Sequence, residues 1–161
     1  MIAGMVSIQL GTAEENILQF LDKRAEKYAA MSYSIWGWAE VGYQEEKTTE
    51  LMQSHLRDEG FSINAGVADI PTAFIASYGS GKPVIAILAE MDALPGLSQS
   101  ADPERNPIKD EMPGHACGHH LFGTGSVAAA VAVKNWIKET GTGGTIRLYG
   151  TPAEEGGSGK V

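Results

Sequence analysis

Val84-Ile85-Ala86-Ile87-Leu88-Ala89 reads as a strand, and Glu90-Met91-Asp92 follows it directly. Six apolar residues in a row leave no polar face, which suits a strand covered on both sides rather than an alternating, half-exposed one. Downstream, the proline-rich stretch 95–113 has no apolar period and reads as a long loop. From Phe122 or Gly123 to Glu139 the pattern turns helical and is apolar nearly all round, with Val127, Val131 and Ile137 among its residues and Gly141 as its stop, so a helix covered on most sides is expected. Gly144 to Gly150, carrying Thr145-Ile146-Arg147-Leu148-Tyr149, is a second strand. Strand, loop, helix, strand is a βαβ unit: its two strands run parallel, and their carboxyl ends share one edge of the sheet. The fold class is therefore α/β, with a mixed, mostly parallel sheet flanked by helices. Glu90, Asp92, Glu154 and Glu155 fall on the rim where open α/β sheets hold their ligands.

Between those strands lies Pro113-Gly114-His115-Ala116-Cys117-Gly118-His119-His120-Leu121-Phe122-Gly123, with the single cysteine and three of the four histidines of the chain. Thiolate and imidazole are the donors that zinc-like cations prefer, so Cys117 and His119 make a candidate pair of metal ligands. Thr151-Pro152-Ala153-Glu154-Glu155-Gly156-Gly157 offers two adjacent acids, one for a metal and one for a proton. A buried free cysteine near chance histidines leaves three histidines unexplained, and a cysteine nucleophile leaves both glutamates idle. Gly156 to Lys160 resembles a phosphate loop but has Glu154 where its leading glycine belongs and Val161 where Ser or Thr should stand.

The N-terminal half supplies the frame. One helix is expected from Thr12 to about Trp36, with Thr12 and Glu15 at capping-box spacing and Trp36 and Trp38 as packing anchors. A second fits Glu45 to Glu59, stopped by Gly60, with Glu45 and Glu46 as a solvated first turn and His55 partly exposed. Weaker strands fit 61–67 and 72–78, and Gly79-Ser80-Gly81-Lys82-Pro83 suggests a hairpin into the apolar strand.

With 161 residues and 43% hydrophobic, the chain suffices for one core. Its 12 basic and 20 acidic residues give a net charge of −8, which disfavours nucleic acid and anionic membrane as partners. Met1 to Leu10 lacks the basic residues and long apolar core of a secretory signal, and no apolar run is long enough to span a bilayer. A cytoplasmic location is expected. One cysteine forms no internal disulfide, which leaves Cys117 free.

Five segments, in order, resemble the aminoacylase-like family of dinuclear metallohydrolases, in the branch of aminobenzoyl-glutamate hydrolase, hippurate hydrolase and auxin-conjugate amidohydrolases. They are Ala39 to Glu45, Ile70 to Ala76, Ala89 to Leu97, His115 to His120, and Thr151 to Gly157. The resemblance implies the three-layer catalytic domain of a zinc-peptidase-like metallohydrolase, incomplete here. Residues 1–161 would be its N-terminal part, without the C-terminal half or a second, dimerising or lid domain, and inactive alone. It further implies Cys117, His119 and Glu155 as metal ligands, Glu154 as general base and Asp92 as the carboxylate that orients the site. Two divalent metal ions are implied for the full-length enzyme, zinc or manganese foremost, with cobalt or nickel as further options. The implied substrate is a small-molecule amide, an N-acyl or N-aroyl amino acid or a dipeptide, and the implied assembly a homodimer or hetero-oligomer. A non-catalytic member that binds an amino-acid conjugate or a partner subunit is the alternative. The sequence departs from the branch at His120, where Asp or Asn is usual, and that change bears on the hydrogen bonding of His119. It holds Glu90 where more distant relatives carry a further histidine ligand.

Overall fold

The computed structural model describes residues 11–161, so the reading of Met1–Leu10 lies outside the described residues. Helices α1 (Thr12–Asp22), α2 (Ala25–Trp38) and α3 (Glu46–Asp58) come first, followed by strands β1 (Ser62–Ala65), β2 (Phe74–Ser80) and β3 (Val84–Glu90). After the long loop come α4 (His119–Thr140), β4 (Gly144–Thr151) and the single-turn helix α5 (Glu154–Gly157). The sheet order is β1-β2-β4-β3. β3 and β4 pair in parallel, Ile85 beside Ile146 and Ile87 beside Leu148, as the βαβ reading requires. β4 lies antiparallel to β2, and β2 antiparallel to β1.

That order corrects two expectations. β2 and β3 form no hairpin, because β4 returns from α4 and inserts between them. The glycine-rich link at 79–83 thus spans a strand rather than turning tightly. β3 is not covered on both faces either: it stands at the edge of the described sheet, and Val84, Ile85 and Leu88 are each more than 40% exposed. Phe74, Ala76, Ile146 and Leu148 line the opposite, helix-covered face and are fully buried. The described residues supply two of the three expected layers, and within them the parallel pairing is confined to β3 and β4.

The core fills the space between that face and the helices, with Ile35, Met52, Leu56, Met91, Val127 and Val131 all at 0% exposure. Removing this much apolar surface from water is the main term holding the fold. α4 begins at His119, three or four residues earlier than its apolar pattern, and Leu121, Phe122 and Ala129 leave one side open. Its far end is closed by left-handed Gly141 and pinned by the Lys134 to Glu59 ion pair at 3.2 Å.

The first predicted helix is two helices, broken at Lys23 and Arg24. The capping box does not form: Gly11 is the N-cap, Thr12 is already helical, and no side chain caps the end. α1 packs on α4 alone, whereas α2 packs on both α3 and α4, so one straight rod cannot satisfy both contacts. Arg24 marks the break, its guanidinium over the Phe20 ring at 3.7 Å. Trp36 is half-buried and Trp38 exposed, so neither is a core anchor.

Two polar residues sit deeper than expected. His55 is 5% exposed and meets Tyr28 edge-on, because α3 turns that face toward α2. Burial pushes its imidazole below the usual histidine range. Glu45 is 0% exposed, since the start of α3 is packed under the turn after β4 and not against solvent.

Candidate metal centre

Sheet topology brings the implied residues to one place. Asp92 lies two residues beyond the end of β3, Glu154 and Glu155 open α5 just past β4, and His119 opens α4. His119 is 3% exposed, and Asp92 is 2% exposed. The imidazole Nδ1 meets only acceptors, Asp92 Oδ1 at 3.0 Å and the Asp92 carbonyl at 3.1 Å, so Nδ1 carries the proton and donates. Asp92 Oδ2 in turn accepts the Glu155 backbone N–H at 3.0 Å. One buried carboxylate thereby orients both the imidazole and the loop of acids, as outer partners of metal sites commonly do.

With Nδ1 engaged, Nε2 of the neutral ring offers a lone pair. It faces Glu90 Oε2 at 3.0 Å and the carboxylates of Glu154 and Glu155 at 3.9 Å each. Acceptors converging on a buried lone pair require a positive charge among them, either a proton on Nε2 or a cation. Donor atoms of Cys117, His119 and Glu155 lie within 4.8 Å of one another, and so do those of Glu90, His119 and Glu154. Both sets suit a divalent cation: the first is sulfur, nitrogen and oxygen, the second nitrogen and oxygen. Since a single Nε2 serves both, the described residues hold one cation well and need further donors for two.

Cys117 is exposed. Its thiol is pushed up by its hydrogen bond to Glu155, then by burial and the charges of Glu155, Glu154 and Glu90. Lys160 answers part of this negative field, its ammonium bridging Glu154 Oε1 at 2.6 Å and Glu90 Oε1 at 2.8 Å. Both acids, with its hydrogen bond to Glu154 first, push the ammonium up. Sequence reasoning missed Lys160, because nothing local foretells that α5 folds it back over Glu90. It also carried no ligand role to Glu90, which faces Nε2 directly.

His120 does not share partners with His119. It points the other way along α4, its ring 4.9 Å from that of His115. His115 donates from Nε2 to the Ile35 carbonyl at 3.2 Å and is 9% exposed. Burial, with help from His120, pushes His115 down to about 4. The folded state thus prefers the neutral ring, and the stability this provides is complete above pH 6.5 and lost as pH falls toward 4. Between those limits the loss should be on the order of 3 kcal/mol. Thermal unfolding at pH 7 and pH 4.5 should show a steep fall for the parent and a shallower one for His115→Asn; equal slopes would discard this account.

Beside the acids, Val41, Gly42, Tyr43, Ala93, Leu94 and Pro95 wall a cleft of about 350 Å³ that reaches Asp92 and Glu155. Such a lining suits an apolar group held next to polar chemistry.

A profile of peptidase family M20/M25/M40 matches residues 86–161. One of the two kinds of chain that make up p-aminobenzoyl-glutamate hydrolase in Escherichia coli K12 is 46% identical over 152 residues, covering 91% of this chain and 32% of that protein. The IAA-amino acid hydrolase ILR1-like 5 of Arabidopsis thaliana is 38% identical over 123 residues, 74% of this chain and 26% of that one. The crystal structure of the Bacillus subtilis YxeP protein, a dinuclear metal-binding peptidase of the M20 family, superimposes with a TM-score of 0.66 at 28% identity. It covers 80% of this chain and 35% of that one. The chain therefore spans about a third or less of the length of the curated relatives it matches.

Proposed function

Residues 86–161 belong to peptidase family M20/M25/M40, and from that premise we propose that this chain supplies the first part of a metal-dependent amidohydrolase. Its substrate is the amide of an N-acyl or N-aroyl amino acid, aminobenzoyl-glutamate-like, or a dipeptide. The observation that carries this reading is the buried lone pair of His119 Nε2, facing a thiol and three carboxylates while Nδ1 is held by Asp92.

Cys117, His119 and Glu155 would hold one divalent cation, and the full-length protein two. A cation bound there supplies Lewis-acid polarisation of the scissile carbonyl and makes water more acidic. Glu154 takes the proton of the attacking water and returns it to the departing amine nitrogen. Asp92 holds His119 and the Glu155 backbone in place throughout. The apolar cleft beside Glu155 takes the acyl or aroyl group, a site the relatives' names suggest by their substrates. The 161-residue chain alone is inactive in this reading, because one Nε2 cannot complete two cation sites. The full-length protein works in the cytoplasm as a homodimer or hetero-oligomer; among the described residues no helix is long and apolar enough to cross a membrane.

Elemental analysis and an amidase assay of the full-length protein on aminobenzoyl-glutamate test the proposal. Stoichiometric divalent metal is expected, with activity falling to background after chelation and returning with zinc, manganese, cobalt or nickel. Full turnover by chelated, metal-free protein would end the proposal.

A further inference from the structure

Glu45 is a fully buried carboxylate that touches none of the reacting groups. It is the N-cap residue of α3, yet its side chain makes no cap there. Glu40 does that work, its carboxylate accepting from the backbone N–H groups of Lys47 and Thr48 at 3.0 and 2.9 Å. Glu45 reaches instead across 108 positions: Oε1 accepts the Ala153 N–H at 2.8 Å, and Oε2 accepts the Thr72 hydroxyl at 3.0 Å.

Ala153 directly precedes Glu154 and Glu155. It is 1% exposed and lies in the left-handed region, φ 52° and ψ 40°, a conformation that costs alanine roughly 1–2 kcal/mol. Such strain persists only where the surroundings hold it. Two features do so. Gly42 leaves room, since a Cβ there would come within 2.8 Å of the Ala153 Cβ. Glu45 binds the Ala153 N–H and, through Thr72 just ahead of β2, refers the turn to the sheet. The turn decides where α5 starts, and hence where both acids point.

We propose that Glu45 is a positioning residue of the metal centre: its buried carboxylate holds the strained turn at Ala153 that aims Glu154 and Glu155 at His119. The inference rests on the metal-hydrolase reading and adds to it a residue outside the ligand set.

Cobalt(II) titration of the metal-free full-length protein, followed by its thiolate charge-transfer absorption, tests it. Glu45→Ala should weaken cobalt binding about tenfold or more, the range for losing an outer partner of a metal site, and alter the thiolate band. Glu45→Gln keeps an oxygen for Ala153 and an amide for Thr72, and should restore affinity to within about threefold of the parent, less than the loss of an outer partner. A folded Glu45→Ala protein with parental affinity and spectrum would overturn the inference and leave the hydrolase reading standing. If Glu45→Ala does not fold, Thr72→Val removes one arm of the brace; a severalfold loss of cobalt affinity supports the inference, and parental affinity overturns it. Failure of the parent to bind cobalt overturns both readings.

Discussion

Glu154→Gln in the full-length protein is expected to lower turnover by roughly 10³-fold, within the range a positioned general base contributes, while bound metal stays at the parental level. The glutamine amide matches the carboxylate in size but cannot accept a proton. Glu154 Oε2 stands 3.9 Å from His119 Nε2, at the edge of the donor set rather than on the thiol side of it, so its charge matters less to the cation than that of Glu155. Lys160 loses one of its two partners and keeps Glu90. Retained metal with lost hydrolysis assigns Glu154 to proton transfer. Unchanged function in this variant would favour a protein that binds amino-acid conjugates without cleaving them.

Cys117→Ala is expected to weaken metal binding by about 100-fold or more, the upper end of what loss of an outer partner does, because here a ligand atom itself is removed. Stability should barely move, within about 0.5 kcal/mol, since the side chain is exposed and fills no core space. The raised thiol makes a further mark: binding must displace its proton, so affinity should climb with pH in the parent and lose that slope in the variant. Calorimetric titration at two pH values reads both effects. Parental affinity without Cys117 would give the cation to Glu90, His119 and Glu154 instead.

Much of the rim was readable in order along the chain. An apolar run ending in Glu90-Met91-Asp92, a helix and a second strand ending before Glu154 can close only one way, because a βαβ crossover puts both carboxyl ends on the same edge. That Asp92 bonds His119 and the Glu155 amide follows from this placement, although no residue pattern gives the 3.0 Å contacts. Glu45 shows what escaped. Beside Glu46 at a helix start it has the pattern of a solvated acid that suits the helix dipole, and its burial depends on Ala153 arriving from more than a hundred residues away. His55 was misjudged for the same reason: one polar residue on a helix reads as exposed until the neighbouring helix is in place.

Sequence by itself determined the α/β class, the parallel pair and the metal-loving chemistry of residues 115–120, since periodicity and donor type are local properties. Tertiary structure alone decided that β4 separates β2 from β3, that one helix breaks in two, that Glu90 and Lys160 join the acids, and that a buried glutamate steadies the turn before them. Those outcomes depend on which surfaces meet and on what water is excluded from, quantities set by distant parts of the chain and carried by no single stretch of it.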